Sequence, residues 1–426
     1  MKVTFITNAM FVIEGKDSKV LCDPWITFDD KSISGFYNFP KCNVSREDIA
    51  NVKPDFIYIT HTHPDHFDPP TLSLFDKSTP ILVAEYKNNF TAKMAEKHGF
   101  TDVRIVPSDT GMALNGADWI WIEPAANSPE VDSIAVLKID GMTALNANDN
   151  IFHEGQCERL SEKVGGIDLG MLPSGAHGPF PMFFDNFTAD EKQRLSEERA
   201  LKLKNSFVNY IKATRPRWVI PIAGGVICCG EKVYSYKYSG IRGREEVVEY
   251  ARKNIDFEPI MLGELNSFDF ASGERTGTYI DKTYETERDY LKKLAEMDGN
   301  FGEGGFFYVA PDQRIDLSRL LVLARKNQRK WQEIKATSST IAYFFDVGQE
   351  HLYRLTLADD TVTRVKRLEI VDERYEIFTL PYELLLGMLT RHFVWSNVNT
   401  QYMTFYRHND DGVDHDLMLL LNYLQV

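Results

Sequence analysis

The first part of the chain alternates short apolar runs with polar turns, a pattern that predicts strands with brief connections. Runs of this kind predict strands at residues 3–6, 11–14, 20–22, 56–59, 81–84, 103–106, 112–114, 119–122, 133–139, 142–145, 169–172 and 218–221. Helical periodicity predicts helices at residues 71–76, 90–98, 189–214 and 245–254. Strands and helices are therefore mixed along this part of the chain.

The pattern changes near residue 283. Helical stretches rich in lysine and glutamate, at residues 285–297 and 317–335, flank a glycine-rich loop at residues 299–305. The runs that follow predict strands at 342–347, 352–357, 361–365 and 374–379, and then helices at 382–391 and 415–424. We therefore expect three parts, namely a first domain at 1–283, a helical connection at 284–336 and a C-terminal α+β domain at 337–426. The order of elements in the last part resembles the sterol-carrier type of domain, and an accessory or oligomerisation role is the alternative.

The composition of the 426 residues argues against several classes of partner. There are 48 basic and 62 acidic residues, a net charge of -14, so a long nucleic acid is not expected to bind. No apolar run approaches the ~20 residues of a membrane helix, and the N-terminus leads directly into a strand, so we expect a cytoplasmic protein without membrane contact. Five cysteines do not indicate a disulfide framework. The neighbours Cys228 and Cys229 are interpreted as buried structural residues, with metal ligation as the alternative.

Candidate chemistry is concentrated directly after the apolar run at residues 56–59. His61 and His63 leave the same face of an extended chain, because the side-chain period of a strand is two. Asp65 and His66 follow in a turn, so three of the ten histidines lie close together. Imidazole and carboxylate groups are suitable ligands for zinc, iron or manganese. The sequence therefore predicts a metal site, and a histidine-rich polar loop is the alternative.

The pattern His-x-His-x-Asp-His after a hydrophobic strand resembles the signature of the metallo-β-lactamase superfamily. The turn Asp23-Pro24 is similar to the N-terminal hairpin region of that family. The resemblance implies that the first domain is an α/β protein, an αββα sandwich that holds one or two metal ions between its sheets. It also implies that Asp149, which follows a strand after the Asp140-Gly141 hairpin, bridges the metals. A turn aspartate is the alternative interpretation.

Two positions lack the histidines that zinc hydrolases of this superfamily add to the motif. This chain has Asn127 or Glu123 at one position and Ala223 at the other. Asparagine is a weak metal ligand and alanine offers none, so part of the usual ligand set is missing. His177 lies between two glycines, which allow the backbone to approach a ligand closely. We therefore expect His177 to complete the site as a metal ligand or a substrate contact, with a plain loop residue as the alternative.

Four further stretches resemble the non-Rieske portion of the CMP-N-acetylneuraminate hydroxylase family, namely residues 129–133, 176–182, 216–224 and 384–391. The resemblance implies an iron-dependent oxygenase-type enzyme that acts on an anionic small molecule, a nucleotide-linked or acylated sugar. The metal would be held by the motif and the bridging aspartate, that is, by His61, His63, Asp65, His66 and Asp149. The chain lacks the paired Cys-x-His and Cys-x-x-His ligands of a Rieske cluster, so electrons would come from a separate electron-transfer protein.

Two other functions are compatible with the same residues. One is a zinc- or manganese-dependent hydrolase of a lactone, ester or phosphodiester, resembling relatives of ascorbate-6-phosphate lactonase, in which Asp65 orients a metal-bound water. The other is a binding protein that kept the fold and lost its activity, although unused buried ligands are costly to retain. Asp65 and His177 are the candidate catalytic residues. Cationic residues at 232–244 indicate an anionic ligand, with a solvated face as the alternative.

Overall fold

The structure is a computed structural model that describes residues 1–28, 32, 35–86, 89–127, 132–297, 308–335, 341–392, 395, 402–408, 417 and 420–426. The glycine-rich loop expected at residues 299–305 lies outside the described residues, as do residues 129–131 of the hydroxylase-like stretches. Residues 415, 416, 418 and 419 of the last expected helix also lie outside them.

The elements of the described chain are mostly short. The strands are β1 (Lys2–Thr7), β2 (Met10–Glu14), β3 (Lys19–Cys22), β4 (Phe36–Asn38), β5 (Phe56–Tyr58), β6 (Ile81–Ala84), β7 (Val103–Val106), β8 (Met112–Ala113), β9 (Trp119–Pro124), β10 (Ser133–Ile139), β11 (Met142–Asn146), β12 (Leu169–Pro173), β13 (Trp218–Ile222), β14 (Val226–Cys228), β15 (Glu258–Pro259), β16 (Ser267–Asp269), β17 (Ala342–Asp346), β18 (Leu352–Thr356), β19 (Thr363–Val365), β20 (Tyr375–Thr379) and β21 (Thr404–His408). The α-helices are α1 (Arg46–Ala50), α2 (Pro69–Leu72), α3 (Phe90–Lys97), α4 (Gln156–Val164), α5 (Ala189–Thr214), α6 (Arg244–Arg252), α7 (Arg288–Ala295), α8 (Ser318–Lys335) and α9 (Tyr382–Leu389). Short 3-10 helices cover Gly230–Tyr238, Pro311–Gln313 and Arg367–Glu369.

Two seven-stranded sheets form the first part of the molecule. The first has the order β16-β1-β2-β3-β5-β6-β7, and the second has the order β15-β13-β12-β11-β10-β9-β8. Within them, β3, β5, β6 and β7 run parallel to one another, as do β11, β12 and β13. A separate antiparallel pair is formed by β4 and β14.

Side-chain alternation separates the two faces of each sheet. In β5, Phe56 and Tyr58 belong to the core between the two sheets, whereas Ile57 packs with residues of α1, α2 and α3. On the far face of the second sheet, a further cluster joins β10–β13 to α4, α5 and α6. The layers therefore follow the order helix, sheet, sheet, helix, and the expected αββα sandwich is confirmed.

The longest described helix, α5, has 26 residues and its expected bounds. A capping box fixes its start, because the backbone N–H of Glu191 donates to Thr188 Oγ1 and the Glu191 carboxylate accepts the backbone N–H of Thr188. The helix ends at Arg215, which takes a left-handed conformation directly before a proline. None of the described helices, including α5, combines the length and the apolar character that crossing a membrane requires.

A five-stranded sheet, with the order β19-β18-β17-β20-β21, forms the C-terminal α+β part. Its hydrophobic core is continuous with that of the first part, since Phe36 and Tyr343 belong to one cluster. Phe405 in β21 forms a bridge to Phe184, and the backbone N–H of Asp185 donates to the Phe405 carbonyl at 2.7 Å. The domain boundaries at residues 283 and 336 stay predictions.

The parallel strands bring the candidate residues to the same edge of the sandwich. In the first sheet, β3 leads into Asp23 and β5 leads into the motif at residues 60–66. In the second sheet, Asp149, His177 and Ala223 follow β11, β12 and β13, respectively. Ligands of open α/β sheets bind beyond the carboxyl ends of the strands, so the topology places a candidate site there.

Candidate metal centre

His66 is held by a fully buried carboxylate that the sequence analysis did not include in the site. The Nδ1 atom of His66 lies 2.8 Å from Asp23 Oδ2. The Asp23 carboxylate also accepts the backbone N–H and the hydroxyl of Thr60, both at 2.8 Å. An acceptor at Nδ1 keeps a proton on that nitrogen, so Nε2 is the nitrogen of His66 that would give up its proton and bind a metal ion.

The Nε2 atom of His66 faces two carboxylates. It lies 3.3 Å from Asp65 Oδ2 and 3.6 Å from Asp149 Oδ2. His61, His66 and Asp149 each offer one candidate ligand atom, and these three atoms lie within 4.8 Å of one another. Within the described part of the chain, neither the buried Nε2 atom of His66 nor the buried Oδ1 atom of Asp149 makes a hydrogen bond of good geometry. Unpaired polar atoms in the interior are costly, so the donor set fits a metal ion.

The other two imidazoles of the motif lie against this group. A turn, in which the backbone N–H of His66 donates to the His63 carbonyl at 3.0 Å, returns His66 towards His61. The ring centroids of His61 and His66 are 4.0 Å apart, and His61 Nε2 lies 2.8 Å from His63 Nδ1. The Nδ1 atom of His61 is engaged by Thr60 Oγ1 at 2.9 Å and by Asp132 Oδ1 at 3.3 Å. The structure therefore places the three histidines of the motif in one cluster.

Asp65 is positioned from the turn between β1 and β2. The side-chain amide of Asn8 donates to Asp65 Oδ2 at 3.3 Å and to the Asp65 carbonyl at 3.5 Å. The side-chain oxygen of Asn8 accepts the backbone N–H of Gly225 at 2.9 Å, and its carbonyl accepts that of Ala223 at 2.9 Å. Asn8 thus connects a candidate ligand on the first sheet to the loop that follows β13 in the second.

The electrostatics of the cluster favour a cation. Burial alone would lower the pKa of His66, but the charges of Asp65, Asp149 and Asp23 raise it well above its usual value. Burial alone would raise the pKa of Asp65, whereas the charge of His66 lowers it to about 2. The same opposition holds the pKa of Asp149 well below its usual range. Burial and the charge of the adjacent imidazole lower the pKa of His63 to about 4, which keeps that ring neutral, as a ligand must be.

His177 lies near this cluster but outside its closest group. Its ring packs edge-on against Phe36, with centroids 5.2 Å apart, and stacks 6.2 Å from the ring of Tyr236. Burial lowers the pKa of His177 to about 4, and the charges of Asp65 and Asp149 oppose this effect. Its buried Nε2 atom has no hydrogen-bond partner among the residues that the structure describes. The role of His177 as a ligand or substrate contact stays a prediction.

The residues at the two positions without histidine are engaged elsewhere. Glu123 accepts hydrogen bonds from Trp121 Nε1 at 3.2 Å and Arg159 Nη2 at 2.9 Å, one on each carboxylate oxygen. The side-chain amide of Asn127 donates to the Ile151 carbonyl at 2.5 Å. These contacts are structural, and they leave the metal cluster to the motif and Asp149.

Sequence reasoning missed three residues that orient the candidate ligands, namely Asp23, Asp132 and Asn8. Asp23 carried a usable signal, because it is an aspartate at the end of a strand. Asp149, which the sequence analysis did include, also comes shortly after a strand. Asp132 lies in the hydroxylase-like stretch 129–133, but its place 71 positions from His61 gives no sign of their contact. Asn8 carried no signal, because it lies 57 positions from Asp65, which it contacts.

The comparison with protein families identifies the domain that carries this fold. The beta-lactamase superfamily domain matches residues 2–223, slightly more than half of the chain. The chain belongs to the β-lactamase superfamily. It is a metal-dependent enzyme with the metallo-β-lactamase fold.

Relatives in the superfamily include both hydroxylases and hydrolases. The chain is 26% identical over 230 residues to the cytidine monophosphate-N-acetylneuraminic acid hydroxylase of Mus musculus, a match covering 53% of this chain and 39% of that protein. It is 26% identical over 232 residues to a Mycolicibacterium smegmatis protein described as a Rieske 2Fe-2S iron-sulfur protein, covering 53% of this chain and 43% of that one. It is 30% identical over 185 residues to a metal-dependent hydrolase of Thermococcus kodakarensis, covering 42% of this chain and 73% of the hydrolase. The chain thus matches less than half the length of the first two relatives.

A solved structure with a similar fold is that of a possible metal-dependent hydrolase from Veillonella parvula. It has 15% sequence identity and a TM-score of 0.47, and the match covers 63% of this chain and 98% of that one.

Proposed function

We propose that this protein is an iron-dependent, oxygenase-type enzyme that acts on an anionic small molecule, a nucleotide-linked or acylated sugar. The observation that carries the proposal is the composition of the closest ligand group, His61, His66 and Asp149. Two imidazoles and one carboxylate with open coordination positions are typical of non-haem iron oxygenases. The superfamily relatives include a hydroxylase of a nucleotide-linked acylated sugar, which supports the substrate class.

The loop after β13 supports open coordination positions. Ala223 stands where the zinc hydrolases of the superfamily supply a histidine, and its backbone N–H donates to Asn8. A Cβ atom added to Gly224 would lie 3.0 Å from the Cα atom of Gly175, so the two loops meet closely here. This close packing makes the loop part of the scaffold, and the missing ligand leaves room for oxygen or substrate.

The residues of the chain would have distinct roles in this enzyme. His61, His63, Asp65, His66 and Asp149 would hold one or two metal ions, which when bound supply oxygen activation at their open positions. Asp23 keeps the proton on Nδ1 of His66, and Asn8 holds the Asp65 carboxylate in place. The neutral ring of His177, with its unpaired Nε2, offers a hydrogen bond to substrate or a further ligand atom.

The electrons for such a reaction need a separate source. The M. smegmatis relative is described as a Rieske 2Fe-2S protein, and this chain matches 43% of its length. A separate electron-transfer protein is therefore part of the proposal, since this chain carries no Cys-x-His and Cys-x-x-His pair.

Anaerobic purification followed by metal analysis and oxygen-uptake assays tests the proposal. We expect bound iron. We also expect oxygen uptake that requires a reductant and at least one sugar from a panel of nucleotide-linked and acylated sugars. The His61→Ala variant should lose both iron and uptake. The control His351→Ala, which changes a histidine of the C-terminal sheet region, should keep them. Bound zinc together with no oxygen uptake would refute the oxygenase.

A metal-dependent hydrolase of a lactone, ester or phosphodiester is the second candidate. It is favoured by the T. kodakarensis hydrolase, 73% of which is matched at 30% identity. In this case Asp65, held by Asn8, would orient a water molecule on zinc or manganese. Turnover of an ester or phosphodiester without oxygen, lost in Asp65→Asn, would establish this function in place of the first.

A further inference from the structure

A cavity of about 600 Å³ lies next to the metal centre. Its wall comes from both sheets and from the segment at residues 278–285, and it includes Phe5, Asn8, Tyr236, Arg244 and Tyr279. Cavities of roughly 300 to 1,000 Å³ with some apolar lining and a few polar groups are typical of small-molecule sites. The size and lining of this cavity therefore fit a small organic ligand.

Two residues connect the cavity to the metal centre. Asn8 lines the cavity and also donates to Asp65 Oδ2 at 3.3 Å. Tyr236 lines the cavity and stacks on the ring of His177. The inner wall of the cavity is therefore one side chain away from the candidate ligands, so a molecule bound in the cavity extends towards the reacting centre.

The charge that distinguishes this cavity is that of Arg244, the first residue of α6. Its Nη1 atom donates to the Leu262 carbonyl at 3.0 Å and to the Pro221 carbonyl at 3.5 Å. Its guanidinium carbon lies 4.5 Å from the ring centroid of Phe5 and 4.9 Å from that of Tyr279. Backbone carbonyls and two aromatic rings thus fix the planar group in place.

Two other cations of the wall, Arg242 and Lys282, already have acidic partners, and a third, Lys237, is exposed and lies 4.9 Å from the ring centroid of Tyr238. Arg242 lies 2.8 Å from Glu197 and 3.8 Å from Glu246, and Lys282 lies 3.6 Å from Glu264. Within the described part of the chain, no carboxylate forms such an ion pair with Arg244. Among the described residues, Arg244 is therefore the partly buried cation of the wall that has no carboxylate in direct contact.

One carboxylate influences Arg244 from a greater distance. Asp281 accepts a hydrogen bond from the hydroxyl of Tyr279 and contributes to the electrostatic environment of Arg244. A Cβ atom added to Gly243 would lie 2.8 Å from Asp281 Oδ2, so this carboxylate stands beside the start of α6. Asp281 would repel an anion that binds to Arg244, and this gives the test a variant with the opposite expected sign.

We propose that this cavity binds the anionic group of a small organic ligand, a phosphate or a carboxylate, through the guanidinium of Arg244. The rigid fork of a guanidinium matches the oxygens of either group. The ring systems of Phe5 and Tyr279 hold that fork, and the rest of the ligand lies towards Asn8 and the metal centre. This inference rests on the proposed function for the ligand's role as substrate, and it locates the part of the site that recognises the substrate's charge.

Binding of three matched sugars to the full-length chain by isothermal titration calorimetry tests the inference. The probes are glucose, glucuronate and glucose 6-phosphate, which differ in having no anionic group, a carboxylate or a phosphate. We expect one or both anions to bind at least about tenfold more tightly than glucose, because charge-assisted hydrogen bonds exceed neutral ones. A preference for glucose 6-phosphate identifies a phosphate group, and a preference for glucuronate identifies a carboxylate. Equal binding of all three sugars, or binding of none, would overturn the inference.

Variants then locate the binding. Arg244→Gln should weaken anion binding by about tenfold or more, whereas Arg242→Gln, which removes an already paired cation of the same wall, should weaken it by less than about threefold. Because Arg244 also contacts two backbone carbonyls, thermal unfolding of Arg244→Gln is measured in parallel. Asp281→Asn leaves Arg244 intact and should tighten binding. Unchanged binding in Arg244→Gln, or weaker binding in Asp281→Asn, would refute the site.

The His61→Ala variant separates this inference from the proposed function. The preference for the anion over glucose should persist in this variant, because the cavity does not include His61. Loss of anion binding in His61→Ala would place the anion on the metal and overturn the cavity site. Absence of oxygen uptake together with Arg244-dependent anion binding would refute the oxygenase and leave the anion site standing.

Discussion

Replacing Asp23 by asparagine isolates the control that this residue has over His66. One oxygen of the side chain can still accept the backbone N–H of Thr60, which now lies at 2.8 Å. The amide nitrogen would replace the oxygen that faces His66 Nδ1, so an amide N–H would meet the N–H of the imidazole. The Thr60 hydroxyl can rotate to accept instead. His66 relieves the conflict by losing the proton at Nδ1 and keeping one at Nε2, the nitrogen that the metal needs.

The size of this effect follows from the geometry. Asp23 fixes the tautomer of one of the two imidazoles in the closest ligand group, and groups that orient metal-bound histidines change metal affinity by about 10- to 100-fold. That range corresponds to about 1.4 to 2.8 kcal/mol in binding free energy. The folded state also loses the hydrogen bond between His66 and a buried carboxylate, but the two contacts to Thr60 can be kept. We therefore expect a large loss of affinity with a smaller loss of stability.

Competition with a chelator measures this affinity directly. Asp23→Asn should release its metal at about 10- to 100-fold lower chelator activity than the wild type. Asp55→Asn is a matched control, because Asp55 also accepts a backbone N–H, that of Lys19 at 2.8 Å, but is exposed at the opposite end of β5. Wild-type metal affinity in Asp23→Asn, with the fold intact, would refute the reasoning about the tautomer.

Three further predictions follow from the site and its surroundings. His63→Ala should lower the metal content measured by elemental analysis without unfolding the chain, and full metal content would contradict its role as a ligand. Asp149→Asn should lower metal loading, because an amide carries no charge to offset a cation. Asn148→Ala should instead lower the unfolding temperature, because its amide donates to the Ser133 carbonyl at 2.6 Å; equal metal loss in both would make Asp149 a turn residue. Burial lowers the pKa of Lys232 from 10.5 to about 8, so the folded state loses the ammonium proton at a lower pH than the unfolded state does. The free energy of unfolding should therefore rise as pH increases from about 8 to 10.5. Denaturant titrations should show that rise reduced in Lys232→Met, and an equal rise would contradict the assignment.

The features that the sequence predicts well are those determined by neighbours in the chain. The motif from His61 to His66 forms its cluster through one strand end and one turn, so its spacing already contains most of the geometry. The helix α5 has its expected bounds because its capping box and the proline after Arg215 are local signals. The αββα order was implied by family resemblance, since strand periodicity alone does not determine which sheets face each other.

The features that the sequence does not predict depend on pairing between distant segments. The strands β4 and β14 have three residues each and pair across 188 to 192 positions, and β16 pairs with β1 across the whole first part. No short turn connects the strands of either pair, so local sequence does not predict the pairing. The contact of Asp132 with His61 also joins distant segments, one in each sheet, so the sequence does not predict it. Short strands and orienting carboxylates are therefore fixed by tertiary packing.

The candidate metal centre depends on this packing, because each sheet supplies only some of its residues. The three histidines and Asp65 follow β5 in the first sheet, whereas Asp149 follows β11 in the second. Asn8 closes the connection, since it donates to Asp65 and accepts the backbone N–H groups of Ala223 and Gly225. A ligand that binds only the packed state stabilises it by about 2.7 kcal/mol at a hundredfold excess over Kd. A metal bound here therefore holds the two sheets together, and loss of any residue that aligns them weakens both the metal site and the sandwich.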